Sequence, residues 1–228
     1  MAKQTRPDRD NLIKRAWTAY TKKDFDRSLE LFEEILAEGD EPEAIYGRAC
    51  SLFRAEDYES ALEALSVLIK TDQANPKYYH TRAMVHGACE DYEEALKDLQ
   101  KLTGMETHNV EAWCDLGGLY WIMDDFDNAA NAFGKAIDLD QSCAIAWFGK
   151  GMVSLSMKEA QQSIKYFDVA LKLDNKKAAT YMARAEAAFL NKNDKEAIKD
   201  LTQALSLDKV FLDQFRKVQE GEEADDDF

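Results

Sequence analysis

Three histidines, His80, His86 and His108, and four cysteines, Cys50, Cys89, Cys114 and Cys143, are the side chains best suited to metal, nucleophilic or proton-transfer chemistry in this 228-residue chain. Their spacing does not assemble a site for any of these. His80 and His86 stand six residues apart, on different sides of a helix, which argues against a shared metal ion. The cysteines lack the paired short spacing of a zinc site and read as reduced, packed thiols rather than a disulfide framework. The sequence holds no glycine-rich phosphate loop, no His-Glu-x-x-His and no nucleophile elbow. Carboxylates are abundant but dispersed, so the chain reads as a non-enzyme with no cofactor and no bound metal.

What the sequence does carry is a period. A small side chain recurs at Ser28, Ala61, Ala95, Ala129, Ser163 and Ala197, in steps of 33, 34, 34, 34 and 34 residues. Four residues after each comes a large apolar one: Phe32, Leu65, Leu99, Phe133, Phe167 and Leu201. Three further on stand Ile35, Leu68, Leu102, Ala136, Ala170 and Ala204. These spacings mark one face of a helix. A preceding helix repeats with the same period, with large residues at Leu12, Ile45, Tyr79, Trp113, Trp147 and Tyr181. Four residues beyond these are small ones at Ala16, Ala49, Ala83, Gly117, Gly151 and Ala185. Short polar turns join the two helices, and Asp24, Asp57, Asp91 and Asp125 are placed to cap the helix that follows. Asp91 with Glu94 has the spacing of a capping box. Pro42 and Pro76 open their units, where a first-turn proline costs little.

A helix pair of this size cannot bury its apolar face alone, so stacked neighbours must complete the core. The pattern resembles the tetratricopeptide repeat family over about residues 9–208, most fully at Trp113, Leu116, Gly117, Tyr120, Ala129, Phe133 and Ala136. It departs from the family in lacking the proline at the end of the second helix. The aromatic after the turn is also replaced, by Ala160 and Asp194, in the last two units. The resemblance implies an all-α, right-handed superhelical α-solenoid of six helix-turn-helix repeats, at 9–41, 42–75, 76–109, 110–143, 144–177 and 178–208. An N-terminal extension (1–8), a capping helix (209–219) and an acidic tail (220–228) complete the division. Phe211, Phe215 and Val218 fall at helical spacing in the cap.

In this family the first helix of each unit forms an inner, concave surface that commonly holds peptides. One row there reads Ile13, Tyr46, His80, Cys114, Phe148 and Met182. The next reads Trp17, Cys50, Met84, Gly118, Met152 and Glu186, and a third reads Tyr20, Phe53, Gly87, Trp121, Leu155 and Phe189. Family members often place asparagine in the middle row, whereas this one is largely apolar. Met supplies adaptable contact and Trp or Tyr rigid anchors, as a groove for a hydrophobic peptide or amphipathic helix requires. The expected partner-binding residues are Ile13, Trp17, Tyr20, Tyr46, Cys50, Phe53, Met84, Trp121, Phe148, Met152, Leu155 and Phe189. The lysine and asparagine of the family's carboxylate clamp are replaced by Ile13 and Trp17, which argues against acidic chaperone C-termini as ligands.

A formal charge of −15 argues against a nucleic-acid partner, because phosphates need a basic face. No apolar run approaches the roughly 18 residues of a membrane span, and the N-terminus lacks the apolar segment of a secretion signal, so no membrane contact and a cytoplasmic location are expected. The expected function is a non-catalytic protein-interaction module binding a peptide or helix of another protein. Self-association into a homo-oligomeric scaffold and a chaperone-like holder of a hydrophobic client segment are its rivals.

Overall fold

The computed structural model describes residues 6–207. Within them the chain forms twelve helices: α1 (Arg6–Thr21), α2 (Phe25–Leu36), α3 (Pro42–Arg54), α4 (Tyr58–Thr71), α5 (Pro76–Ala88), α6 (Tyr92–Met105), α7 (Val110–Ile122), α8 (Phe126–Leu139), α9 (Ala144–Ser156), α10 (Ala160–Leu173), α11 (Ala178–Leu190) and α12 (Asp194–Leu207). Among the described residues there is no strand, and the fold class is the helix-turn-helix repeat of α-solenoids. The expected cap (209–219) and acidic tail (220–228), and residues 1–5 of the expected N-terminal extension, lie outside the described residues. The chain divides into two compact units, one ending at Thr107 and the other beginning at His108.

In the first unit each of α1 to α6 packs on the next, and the first helices of successive repeats also touch, α1 on α3 and α3 on α5. The second unit repeats this from α7 to α12, with α7 on α9 and α9 on α11. The periodic small residues explain the close approach: Ala16, Ala49, Ser28, Ala61, Ala129, Ser163, Ala185 and Ala197 are all fully buried. Where the small residue is serine, its hydroxyl donates to a carbonyl of the facing helix, Ser28 to Ala16 at 3.1 Å and Ser163 to Gly151 at 3.0 Å. Neither buried hydroxyl is left unpaired.

Within each repeat the turn between the two helices has one construction. Lys23, Glu56, Glu90, Asp124, Lys158 and Lys192 all adopt left-handed backbone, with φ between 57° and 64°. Each donates its N–H back three residues, and the residue after it donates back five, as Asp57 does to Leu52. This is the Schellman pairing, which satisfies the last carbonyls of the helix, here without the usual glycine. The following aspartate then caps the next helix: Asp24 accepts from Arg27 N–H, Asp57 from Ser60 and Asp125 from Asn128. Asp91 does not, contrary to its capping-box spacing. One of its carboxylate oxygens lies 3.7 Å from Nδ1 of His86.

Apart from Leu201, which is 37% exposed, the large residues of the second helices fill the interior, and where the residue is phenylalanine a glycine makes room for it. A Cβ at Gly47 would overlap the Phe32 ring, at Gly149 the Phe133 ring, and at Gly151 the Phe167 ring. A second feature escaped the sequence reading. Arg82 on α5 makes a bidentate pair with Asp98 on α6, both bonds 2.7 Å. Arg184 on α11 does the same with Asp200 on α12, again at 2.7 Å, and adds Asp168 on α10 at 2.6 Å. Asp98 and Asp200 are 4% and 2% exposed. In both pairs the arginine precedes the aspartate by 16 residues, and three full periods separate the pairs, which is the signal that would have found them.

Candidate binding surface

The first helices carry the expected binding residues. In the first unit the aromatic ones pack mainly on one another. The Trp17 ring lies 5.3 Å from Phe32, 5.5 Å from Tyr20 and 6.1 Å from Tyr46. The Tyr46 ring lies 5.5 Å from that of Tyr78, tilted by 48°, and its hydroxyl shares a 2.9 Å hydrogen bond with Thr81. Phe53 meets Tyr58 at 6.1 Å. Cys50 lies beneath this layer, 7% exposed. Burial pushes its thiol up to about 11 and raises the Tyr46 phenol as well. Met84, by contrast, is 49% exposed. Ile13 and Trp17 border an open concavity of about 510 Å³, whose rim includes Asp10, Lys14 and Glu43.

The second unit holds a concavity of its own. Phe148 and Met152 on α9 and Met182 and Phe189 on α11 line a concavity of about 500 Å³, together with Leu190 and Leu201 and the carboxylate of Glu186. Met182 is 52% exposed and Phe189 45%. Trp121 is partly buried and donates from Nε1 to the Ser156 hydroxyl at 2.9 Å. Leu155 lies below the surface at 7% exposure. Ile145, which the sequence reading did not select, is 67% exposed at the start of α9. Its signal was available: the equivalent places in the first four repeats hold Asp10, Glu43, Lys77 and Glu111. An isoleucine in a charged row is an apolar substitution with no core to fill.

The four cysteines are free thiols, and Cys114 and Cys143 bring their sulfurs to 3.8 Å. Among the described residues no group of three or more His, Cys, Asp or Glu side chains could hold a metal ion. Nor is any helix among them long and apolar enough to cross a membrane.

Comparison with known proteins agrees with this geometry. One tetratricopeptide repeat profile matches residues 13–77 and 116–178, and another matches residues 76–109 and 178–211. A search of curated proteins finds no match. Among solved structures, the chain is similar to a tetratricopeptide repeat protein from Parabacteroides merdae ATCC 43184, at 17% identity and TM-score 0.77, covering 94% of this chain and 87% of that one. It is also similar to a chain of the APC/C hetero-tetramer Cut9-Hcn1, at 18% identity and TM-score 0.73, covering 88% of this chain and 40% of that one. A third likeness is to MamA from Desulfovibrio magneticus RS-1, at 15% identity and TM-score 0.68, covering 75% and 97%. The repeat fold is generally a non-catalytic scaffold. With its registered helix pairs, buried small-residue rows and profile matches over most of its length, this chain belongs to the tetratricopeptide repeat family and is a protein-interaction module.

Proposed function

We propose that the face formed by α9 and α11 binds a hydrophobic peptide or amphipathic helix of another protein, without catalysis and in the cytoplasm. The carrying observation is the apolar concavity of about 500 Å³ at Phe148, Met152, Met182 and Phe189. Apolar side chains clustered on one solvent-facing side mark a partner surface, and covering the exposed part of these four, each already about half buried or more, offers at most about half of the roughly 1.5–3 kcal/mol of a full burial each before association costs. Glu186 at the rim and the net charge of −15 favour a partner with basic residues flanking its apolar stripe. In the first unit, Ile13, Trp17 and Met84 extend the same character, while Tyr20, Tyr46, Cys50 and Phe53 support the layer from beneath or beside.

The test uses Met182→Glu and Phe189→Glu together. Both side chains are about half exposed, so the fold should survive, as circular dichroism would verify. A partner captured by the natural chain should be lost, and its affinity measured by calorimetry should fall at least tenfold. Unchanged affinity refutes the assignment. If light scattering shows a dimer of the natural chain that the double variant abolishes, the occupant is a second copy and the scaffold reading replaces this one. If no partner is captured but a hydrophobic client aggregates without the protein, the holder reading does.

A further inference from the structure

The structure assigns Cys114 and Cys143 a site for reversible two-electron oxidation, in which a disulfide ties α7 to the start of α9. The two sulfurs are already in contact at 3.8 Å, and a bond requires that gap to close to roughly 2.05 Å. Both residues lie in the second unit, 29 positions apart, Cys114 on α7 and Cys143 just before α9. Cys114 is buried on α7 at 8% exposure, and Cys143 is half-buried at the N-cap of α9. The equivalent N-cap residues Asn75 and Asn109 accept hydrogen bonds from the first turns of α5 and α7. Cys143 makes no side-chain cap bond; its sulfur faces Cys114 instead.

The order of events follows from access. Cys114 is buried while Cys143 is half-buried, and burial first, then the neighbouring Cys143 sulfur, raises the Cys114 thiol, so Cys114 does not start the reaction. Cys143 meets the oxidant, taken here as hydrogen peroxide. Its sulfur attacks one peroxide oxygen, the O–O bond breaks, and a sulfenic acid and one water result. The Cys114 sulfur then displaces hydroxide from that sulfenic acid, its proton leaving with the hydroxide as a second water. The two thiols together lose two electrons and two protons, and peroxide is reduced to two waters. A dithiol reductant reverses the step by exchange.

The experiment treats the folded full chain with limited peroxide, alkylates residual thiols, and measures intact mass, linked peptides and the thermal midpoint. The expected product has lost two hydrogens, leaves two thiols to alkylate rather than four, and yields a peptide linking Cys114 to Cys143. Its midpoint rises by roughly 10 °C, because a loop of this length is closed in the unfolded chain. Dithiothreitol restores the starting mass and midpoint. Cys143→Ser, a near-isosteric change at a half-buried N-cap position where serine is favoured, should keep the fold and abolish the linkage. Four alkylatable thiols after treatment, a linkage through Cys50 or Cys89, a Cys143 sulfinic acid with no linkage, or a midpoint that falls on linkage would each overturn the assignment.

Discussion

Removing the Asp98 carboxylate should be among the most damaging single changes in the first unit. Asp98→Ala leaves the Arg82 guanidinium, whose side chain is 23% exposed, without two bonds of 2.7 Å. The remaining contacts are the Ser66 hydroxyl at 3.5 Å and the Tyr79 ring at 5.9 Å. Charge-assisted hydrogen bonds are worth about 1.5–3 kcal/mol each, and stranding one member of a buried pair costs about 3–5 kcal/mol. Partial exposure of Arg82 places the expected loss near the lower end, about 3 kcal/mol. For a chain of this length that is a fall of about 6–12 °C in midpoint. Urea titration of Asp98→Ala, Arg82→Met and the double variant separates the pair from the cavity: the double should be less destabilised than the sum of the singles by about 2 kcal/mol. The same logic runs in reverse one repeat earlier. Arg48 stands where Arg82 does, its Nε is buried without a partner, and Ala64 occupies the place of Asp98. Ala64→Asp should therefore stabilise the chain by about 1 kcal/mol. Additive single effects together with a destabilising Ala64→Asp would refute the reasoning.

Gly47→Ala should destabilise by about 1–3 kcal/mol because its Cβ overlaps the buried Phe32 ring. Phe32→Leu in the same chain should restore much of that loss, since in the next repeat the corresponding positions are held by Leu65 and Thr81; a Gly47→Ala chain as stable as the natural one by urea titration would contradict the packing. Cys50 titrates in the folded chain at about 11 rather than 9.0, so its contribution is complete below pH 9 and is lost as pH rises towards 11. Denaturation midpoints should show about 2–3 kcal/mol of stability disappearing over that window, and Cys50→Ala should flatten the slope there.

The architecture was legible because its determinants are periodic. A row of small residues every 34 positions can only serve helices that pack at one recurring distance, and each member of that row is buried. The helix ends were half legible. Aspartate caps were recognisable by residue type, whereas the left-handed residue before each of them is Lys, Glu or Asp, which carry no glycine-like signature. Asp91 matches Asp24, Asp57 and Asp125 in type and place yet makes no side-chain cap bond, one of its carboxylate oxygens lying 3.7 Å from His86 Nδ1, which local spacing does not show.

The binding residues show where a one-dimensional pattern stops. Rows read at helical spacing select a face of each helix, but depth within that face depends on what the neighbouring helices contribute. Cys50 and Met84 occupy the same row one repeat apart, and one is 7% exposed while the other is 49%. The difference lies in the surroundings: Cys50 sits beneath Tyr46 and Thr81, two large groups joined by a hydrogen bond, while the place of that tyrosine beside Met84 is taken by His80. Leu155 and Phe189 differ in the same way, 7% against 45% exposed: among the described residues, the first helix of another repeat packs against α9 from each side, and against α11 the first helix of one other repeat. A groove residue in a repeat protein is thus defined by the repeat beside it, and the apolar character that reaches solvent concentrates on α11, where Met182 and Phe189 meet Phe148 and Met152.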